Sequence, residues 1–131
     1  MKAAARFSGA VRPGQGRGRR LGFPTANLQV ERVGRLPRGV WAGAARWEGG
    51  PWRGALINIG TRPTFAEKGL SIEVHVLDFS GDLYGKTLEV RLIRRLRGER
   101  RFAAAAALAA QIGKDLENAR EILKTIKQTE V

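Results

Sequence analysis

The stretch SIEVHVLDF, residues 71–79, decides the fold because apolar and polar side chains alternate along most of it. The apolar positions are Ile72, Val74 and Val76. A period of two is typical of a β-strand with one buried face and one polar face. The stretch therefore predicts a strand that carries Glu73 and His75 on its polar face.

Further short runs on both sides of this stretch have strand character and are separated by turn residues. They cover residues 6–12, 28–30, 39–47, 53–59 and 87–93. Glu48–Pro51 supplies a turn between two of them, which predicts a hairpin, and Gly43 inside a strand indicates a bulge or a close approach. About six short strands with turns between them indicate a mainly β domain, either a sandwich or a barrel.

The pattern changes from period two to helical spacing after Phe102. Ala103 to Ala110 is rich in the best helix-forming residue, and apolar residues then recur at helical spacing as far as Ile126. The sequence predicts one C-terminal helix over about residues 103–127, with its apolar stripe packed on the β domain.

Composition limits the function classes. The chain has 131 residues, no cysteine and a net charge of +12. It therefore has no disulfide and no thiolate metal site, and no run of 18 apolar residues predicts a membrane helix. The positive charge favours polyanionic partners, but the arginines are spread over the whole chain and no series of aromatic residues accompanies them.

A phosphate-binding loop is one interpretation of the segment that precedes Pro24. Gly14, Gly16 and Gly18 occupy alternate positions, and Arg17 and Arg19 lie between and beside them. Successive backbone N–H groups can form an anion-binding concavity, and arginine binds phosphate oxygens. The alternative is a simple basic loop. No Walker A or dinucleotide-binding fingerprint is present.

Thr25 and Asn27 follow this loop and place two neutral oxygen-bearing side chains two residues apart. Alternate residues of an extended segment share a face. Neutral oxygens together with substrate phosphates suit Mg²⁺, so the segment predicts a site for a magnesium–nucleotide complex.

Glu73 is a candidate general base, since a carboxylate near a phosphate site can accept a proton from an alcohol. The alternative is a solvated strand residue. His75 is the only histidine and offers no metal site without a second ligand.

Taken in order, these segments resemble the riboflavin kinase (flavokinase) domain, including the C-terminal domain of bacterial bifunctional riboflavin kinase/FAD synthetases. Each motif is weak alone, but their order along nearly the whole chain is specific. The segments that carry the resemblance are Gly9–Gly18, Leu21–Asn27, Leu36–Val40, Asn58–Phe65, Glu73–Phe79, Asp82–Gly85 and Leu96–Phe102.

The resemblance implies a six-stranded antiparallel Greek-key β-barrel with a C-terminal helix, and transfer of the ATP γ-phosphoryl group to the 5′-hydroxyl of riboflavin. It implies that Thr25 and Asn27 bind Mg²⁺ and phosphate, that Glu73 is the catalytic base and that Arg97 borders the flavin. It also implies a flap over the nucleotide phosphates, formed by Gly14, Gly16, Arg17, Gly18, Arg19 and Gly22.

From the same resemblance we expect residues 1–131 to form a single kinase domain without an adenylyltransferase domain, and therefore to make FMN but not FAD. We expect a cytoplasmic monomer that binds ATP and riboflavin and neither membrane nor nucleic acid. Two alternatives stay open: a basic barrel that binds single-stranded nucleic acid, and a flavin-binding module without catalysis. Trp41 departs from the tyrosine frequent in the family, at an expected core position.

Overall fold

The computed structural model describes residues 3–13, 23–30, 36–61 and 70–125. Within them, six strands form one closed antiparallel barrel in the order β1-β2-β5-β4-β3-β6. The strands are β1 (Ala5–Arg12), β2 (Ala26–Gln29), β3 (Gly39–Trp47), β4 (Arg53–Thr61), β5 (Leu70–Val76) and β6 (Thr87–Arg97). The barrel confirms the predicted fold and decides between sandwich and barrel.

Alternation along the strands produces the core. Side chains that point into the barrel are almost completely buried, and the most buried large ones are Ile57, Ile59, Ile72, Val74, Leu88, Val90 and Leu92. Trp41 also belongs to this core, as expected, although its indole N–H has no hydrogen-bond partner within the described residues. As predicted, the alternation of apolar and polar residues in β5 arises because one face of the strand is buried in the barrel.

The hairpin between β3 and β4 forms where predicted. Glu48 and Gly49 take positive φ angles of 53° and 68°, which close the turn. Gly43 is required in β3 because a Cβ there would lie 2.1 Å from the carbonyl oxygen of Arg91 in β6. The register between β3 and β6 shifts beside Gly43, so both a bulge and a close approach are present.

One helix, α1 (Ala105–Lys124), packs on the outside of β3, β4 and β6. It begins at Ala105 and not at residue 103, since Ala104 is still extended, with φ at −132°. Its apolar contacts with the barrel come from Leu116, Ala119, Ile122 and Leu123. The predicted end near residue 127 lies outside the described residues.

The strand of residues 71–79 ends earlier than its sequence pattern indicates. β5 stops at Val76, and Asp78 has a φ of 54°, which turns the chain away from the sheet. No helix among the described residues is long and apolar enough to cross a membrane.

Candidate active site

Three polar side chains form a row across neighbouring strands. Asn27 of β2 is directly opposite Glu73 of β5, and Glu73 is directly opposite Asn58 of β4. Directly opposite residues point to the same side of a sheet, with Cβ atoms about 4.5–5.5 Å apart. The row points outwards, because the residues on either side of Glu73, Ile72 and Val74, fill the barrel.

The local sequence explains this position. β2 is only four residues long, and its ladder with β5 begins at Ala26, immediately after the extended Pro24–Thr25 segment. Proline has no N–H for a ladder and disfavours a helical conformation at the residue before it. The chain therefore enters β2 extended, which brings Asn27 into register with Glu73.

A cavity of about 640 Å³ opens beside this row. Its apolar wall includes Val11, Val74 and Val76, which line one mouth of the barrel, while Thr25 and Asn27 supply polar atoms. The opposite wall is the segment from Phe79 to Tyr84, which connects β5 to β6. A small molecule with an apolar part and an anionic part suits such a lining.

The polar residues that line the cavity suit a hard cation that takes most of its ligands from water and from the phosphates of a bound nucleotide. Within the described residues, no three histidine, cysteine or carboxylate side chains cluster as a metal site. Thr25 and Asn27, whose side-chain oxygens are neutral, are among the residues that line the cavity. Mg²⁺ usually takes few protein ligands and completes its shell with water and substrate phosphates, so these residues fit Mg²⁺ that enters with a nucleotide.

The residue immediately before the segment that lines the opposite wall is hydrogen-bonded to the helix. Both carboxylate oxygens of Asp78 accept hydrogen bonds from Arg120 of α1, at 2.9 and 3.0 Å. These hydrogen bonds and the positive charge of Arg120 lower the pKa of Asp78. Tyr84, at the far end of the same segment, is 60% exposed on the cavity rim.

Arg97 lies at the end of β6 and binds the helix. Its guanidinium donates to both carboxylate oxygens of Asp115 and to the carbonyl oxygen of Gly98. Asp115 is almost completely buried and also accepts a hydrogen bond of 2.9 Å from Gln111. The guanidinium thus fastens α1 to the barrel, and a contact between Arg97 and a flavin stays a prediction.

The predicted phosphate flap lies outside the described residues. This applies to Gly14, Gly16, Arg17, Gly18, Arg19 and Gly22. Of the predicted site residues that the structure describes, Thr25 and Asn27 line the cavity, and Glu73 lies directly opposite Asn27 on the neighbouring strand. Arg97 lies across from Val40, which in turn is opposite Asn58.

Comparison with known sequences decides the family. The sequence model of the flavokinase family, described as riboflavin kinase, matches residues 1–123. The chain belongs to the riboflavin kinase family. Its barrel is therefore that of a riboflavin kinase domain.

Curated relatives are similar over most of this riboflavin kinase domain. It is 44% identical over 119 residues to the bifunctional riboflavin kinase/FMN adenylyltransferase of Pseudomonas fluorescens, which covers 89% of this chain and 38% of that protein. The protein of the same name from Escherichia coli (strain K12) is 42% identical over 121 residues, covering 92% and 39%. The chain thus spans about two fifths of the length of these relatives.

Solved structures share the fold. A protein from Streptococcus pneumoniae named macrolide-efflux protein matches with a TM-score of 0.79 and 31% identity, over 88% of this chain and 38% of that chain. The riboflavin kinase of Trypanosoma brucei matches with a TM-score of 0.68 and 23% identity, over 99% of this chain and 86% of that chain. The second likeness is one of fold alone.

Sequence reasoning did not select Asn58 or the segment from Phe79 to Tyr84 as parts of the site. Asn58 belongs to one of the segments that carry the family resemblance, but only the register shows that it is directly opposite Glu73. Asp115 was also missed, although one carboxylate three residues after Ile112 and four before Ala119, on the apolar stripe, is a signal of a buried ion pair.

Proposed function

We propose that this domain transfers the γ-phosphoryl group of ATP to the 5′-hydroxyl of riboflavin and releases FMN and ADP. The observation that carries the proposal is the placement of Glu73 directly opposite Asn27, which lines the cavity. Membership of the riboflavin kinase family and the names of the relatives support the choice of substrates.

In this proposal Thr25 and Asn27 bind the magnesium–nucleotide complex. Both residues line the cavity, and their side-chain oxygens would ligate Mg²⁺ that enters with ATP. When bound, Mg²⁺ neutralises the negative charge on the phosphoryl oxygens. The apolar wall at Val74 and Val76 would contact the base of the nucleotide, and Tyr84 would cover it from the rim.

Glu73 is the proposed catalytic base. As the 5′-oxygen of riboflavin attacks the γ-phosphorus, its proton passes to the Glu73 carboxylate. The bond between the γ-phosphorus and the bridging oxygen breaks, and ADP leaves with the bonding electrons. Little covalent chemistry is left to the protein, so most of the rate enhancement comes from position and charge.

The remaining predictions complete the proposal. We propose that the segment from Gly14 to Gly22 covers the phosphates, that Arg97 borders the flavin, and that the enzyme acts as a cytoplasmic monomer. We further propose FMN and not FAD as the product of these residues. Size-exclusion chromatography with light scattering measures the oligomeric state.

The experiment that tests the function is a reaction of riboflavin with ATP and Mg²⁺, with products separated by chromatography. Formation of FMN by the wild type and its loss in Glu73→Gln are the expected results. Riboflavin binding without FMN formation would support the flavin-binding module instead. Oligonucleotide binding that falls steeply with salt, without binding of either substrate, would support the nucleic-acid alternative.

A further inference from the structure

The only histidine of the chain connects the strand of Glu73 to the segment of Thr25. His75 lies on β5 two residues after Glu73, so the two side chains point to the same outer face. Its Nδ1 atom is 2.6 Å from the carbonyl oxygen of Pro24, which is 51 residues away along the chain. A carbonyl oxygen can only accept a hydrogen bond, so Nδ1 is the donor.

A second contact supports the same position of the imidazole. The ring of Phe23 meets the ring of His75 edge to face, with centroids 6.5 Å apart and an interplanar angle of 82°. The imidazole therefore contacts both Phe23 and Pro24, and Pro24 is the first of four consecutive residues that line the cavity. Edge-to-face contacts of this kind add to orientation as well as to burial.

This hydrogen bond lies where the ladder between β2 and β5 stops. The last pair of that ladder joins Ala26 to Val74, and Pro24 has no N–H with which to extend it. The carbonyl of Pro24 belongs to the peptide group whose nitrogen is that of Thr25. A donor that fixes this carbonyl fixes the plane of the peptide, and with it the direction in which Thr25 leaves the backbone.

We propose that His75 is a positioning residue for the nucleotide site. Its Nδ1–H holds the Pro24 carbonyl, and thereby holds Thr25 and Asn27 at a set position relative to Glu73. β5 would then carry both the base and the group that places the magnesium–nucleotide ligands. The inference rests on the proposed function, and it assigns His75 no contact with substrate.

The test compares substitutions of His75 that keep the hydrogen-bond donor with substitutions that remove it. His75→Asn places its amide Nδ2 as many bonds from the backbone as the Nδ1 of histidine and keeps the hydrogen bond. His75→Phe keeps a ring beside Phe23 but has no donor. His75→Leu is a second variant without a donor, so that agreement with His75→Phe separates loss of the hydrogen bond from a steric effect.

Steady-state kinetics and calorimetry give the readouts. In His75→Phe and His75→Leu we expect the KM for ATP and the Kd for magnesium–ADP to rise about tenfold, the effect of one lost hydrogen bond. We expect the Kd for riboflavin to stay within twofold of the wild type, and His75→Asn to stay within about threefold in every constant. The melting temperature is measured for all variants.

Several outcomes would overturn the role of His75. One is unchanged nucleotide binding in both variants without a donor; another is equal impairment in His75→Asn and His75→Phe. A third is a parallel loss of nucleotide and flavin affinity with the melting temperature, which is the behaviour of a merely structural residue. Failure of the wild type to form FMN would instead contradict the proposed function.

Discussion

Asn27 and Glu73 are directly opposite one another in the pair formed by β2 and β5, and Asn27 also lines the cavity beside them. The proposed metal ligand and the proposed base thus lie on adjacent strands at one level of the barrel. We therefore expect substitutions of the two residues to change different kinetic constants.

Glu73→Gln removes the proton acceptor and keeps the size of the side chain. We expect kcat to fall by about 10²-fold or more, the usual contribution of a general base, and the KM for ATP to change little. The measurement is FMN formation at saturating substrates, with the melting temperature as a check on folding. A kcat close to that of the wild type would remove Glu73 from the mechanism.

Asn27→Ala removes one proposed oxygen ligand. We expect a higher Mg²⁺ concentration for half-maximal rate and weaker binding of magnesium–ADP by calorimetry, with riboflavin binding unchanged. Gln29→Ala is the matched control, because Gln29 lies on the same face of β2 two residues further on and is exposed. An unchanged Mg²⁺ dependence in Asn27→Ala would contradict the ligand role.

We expect substitution of Arg97 and substitution of Asp115, which form an ion pair, to lower the unfolding free energy by different amounts. The Asp115 side chain is 3% exposed and that of Arg97 is 21% exposed. Arg97→Ala leaves a buried carboxylate that keeps its hydrogen bond from Gln111 but loses its cation, at a cost of about 3–5 kcal/mol of unfolding free energy. Asp115→Asn costs less, about 1–3 kcal/mol, because the arginine can reach water.

Urea denaturation of both variants measures this difference, and equal losses would contradict it. Riboflavin affinity is measured in Arg97→Lys, which keeps the charge but loses the forked geometry that fits a carboxylate. Weaker riboflavin binding at unchanged stability would support the predicted border of the flavin site.

We expect substitution by alanine to change the unfolding free energy in opposite directions at two glycines. A Cβ at Gly43 would lie 2.1 Å from a backbone oxygen, whereas a Cβ at Gly113 in α1 would meet no described atom within 4 Å apart from its chain neighbours and its own helix backbone. We expect Gly43→Ala to lower the unfolding free energy by about 1–3 kcal/mol or more, through strand displacement. Gly113→Ala should raise it by about 1 kcal/mol, the difference in helix propensity.

The hydrogen bonds from Arg120 predict a pH dependence. Because the pKa of Asp78 is lowered in the folded state, its stabilisation is present above the unfolded pKa of about 3.9 and is lost as pH falls through the folded pKa. Asp78→Asn suits the positive φ at this position and removes only the charge. Its melting temperature should be below that of the wild type at pH 7, and the difference should shrink as pH falls below the unfolded pKa.

The sequence predicted the strands better than their lateral contacts. Period-two alternation identified the strand of Glu73 because the barrel buries one face of it. The opposition of Glu73 to both Asn27 and Asn58 depends on register between segments far apart in the chain, which spacing alone does not contain. The same limit applies to Asp115, since helical periodicity gives a side of the helix but not the cation that the side meets.

The strand order has a consequence for how such a unit can be used. β1 pairs with β2 on one side and with β6 on the other, so the described sheet returns to its own first strand. Open sheets end in unpaired backbone groups that invite other chains to add a strand and aggregate. A barrel joined to itself needs no neighbouring domain to complete its hydrogen bonding. That property suits a unit whose relatives carry it as about two fifths of a longer polypeptide.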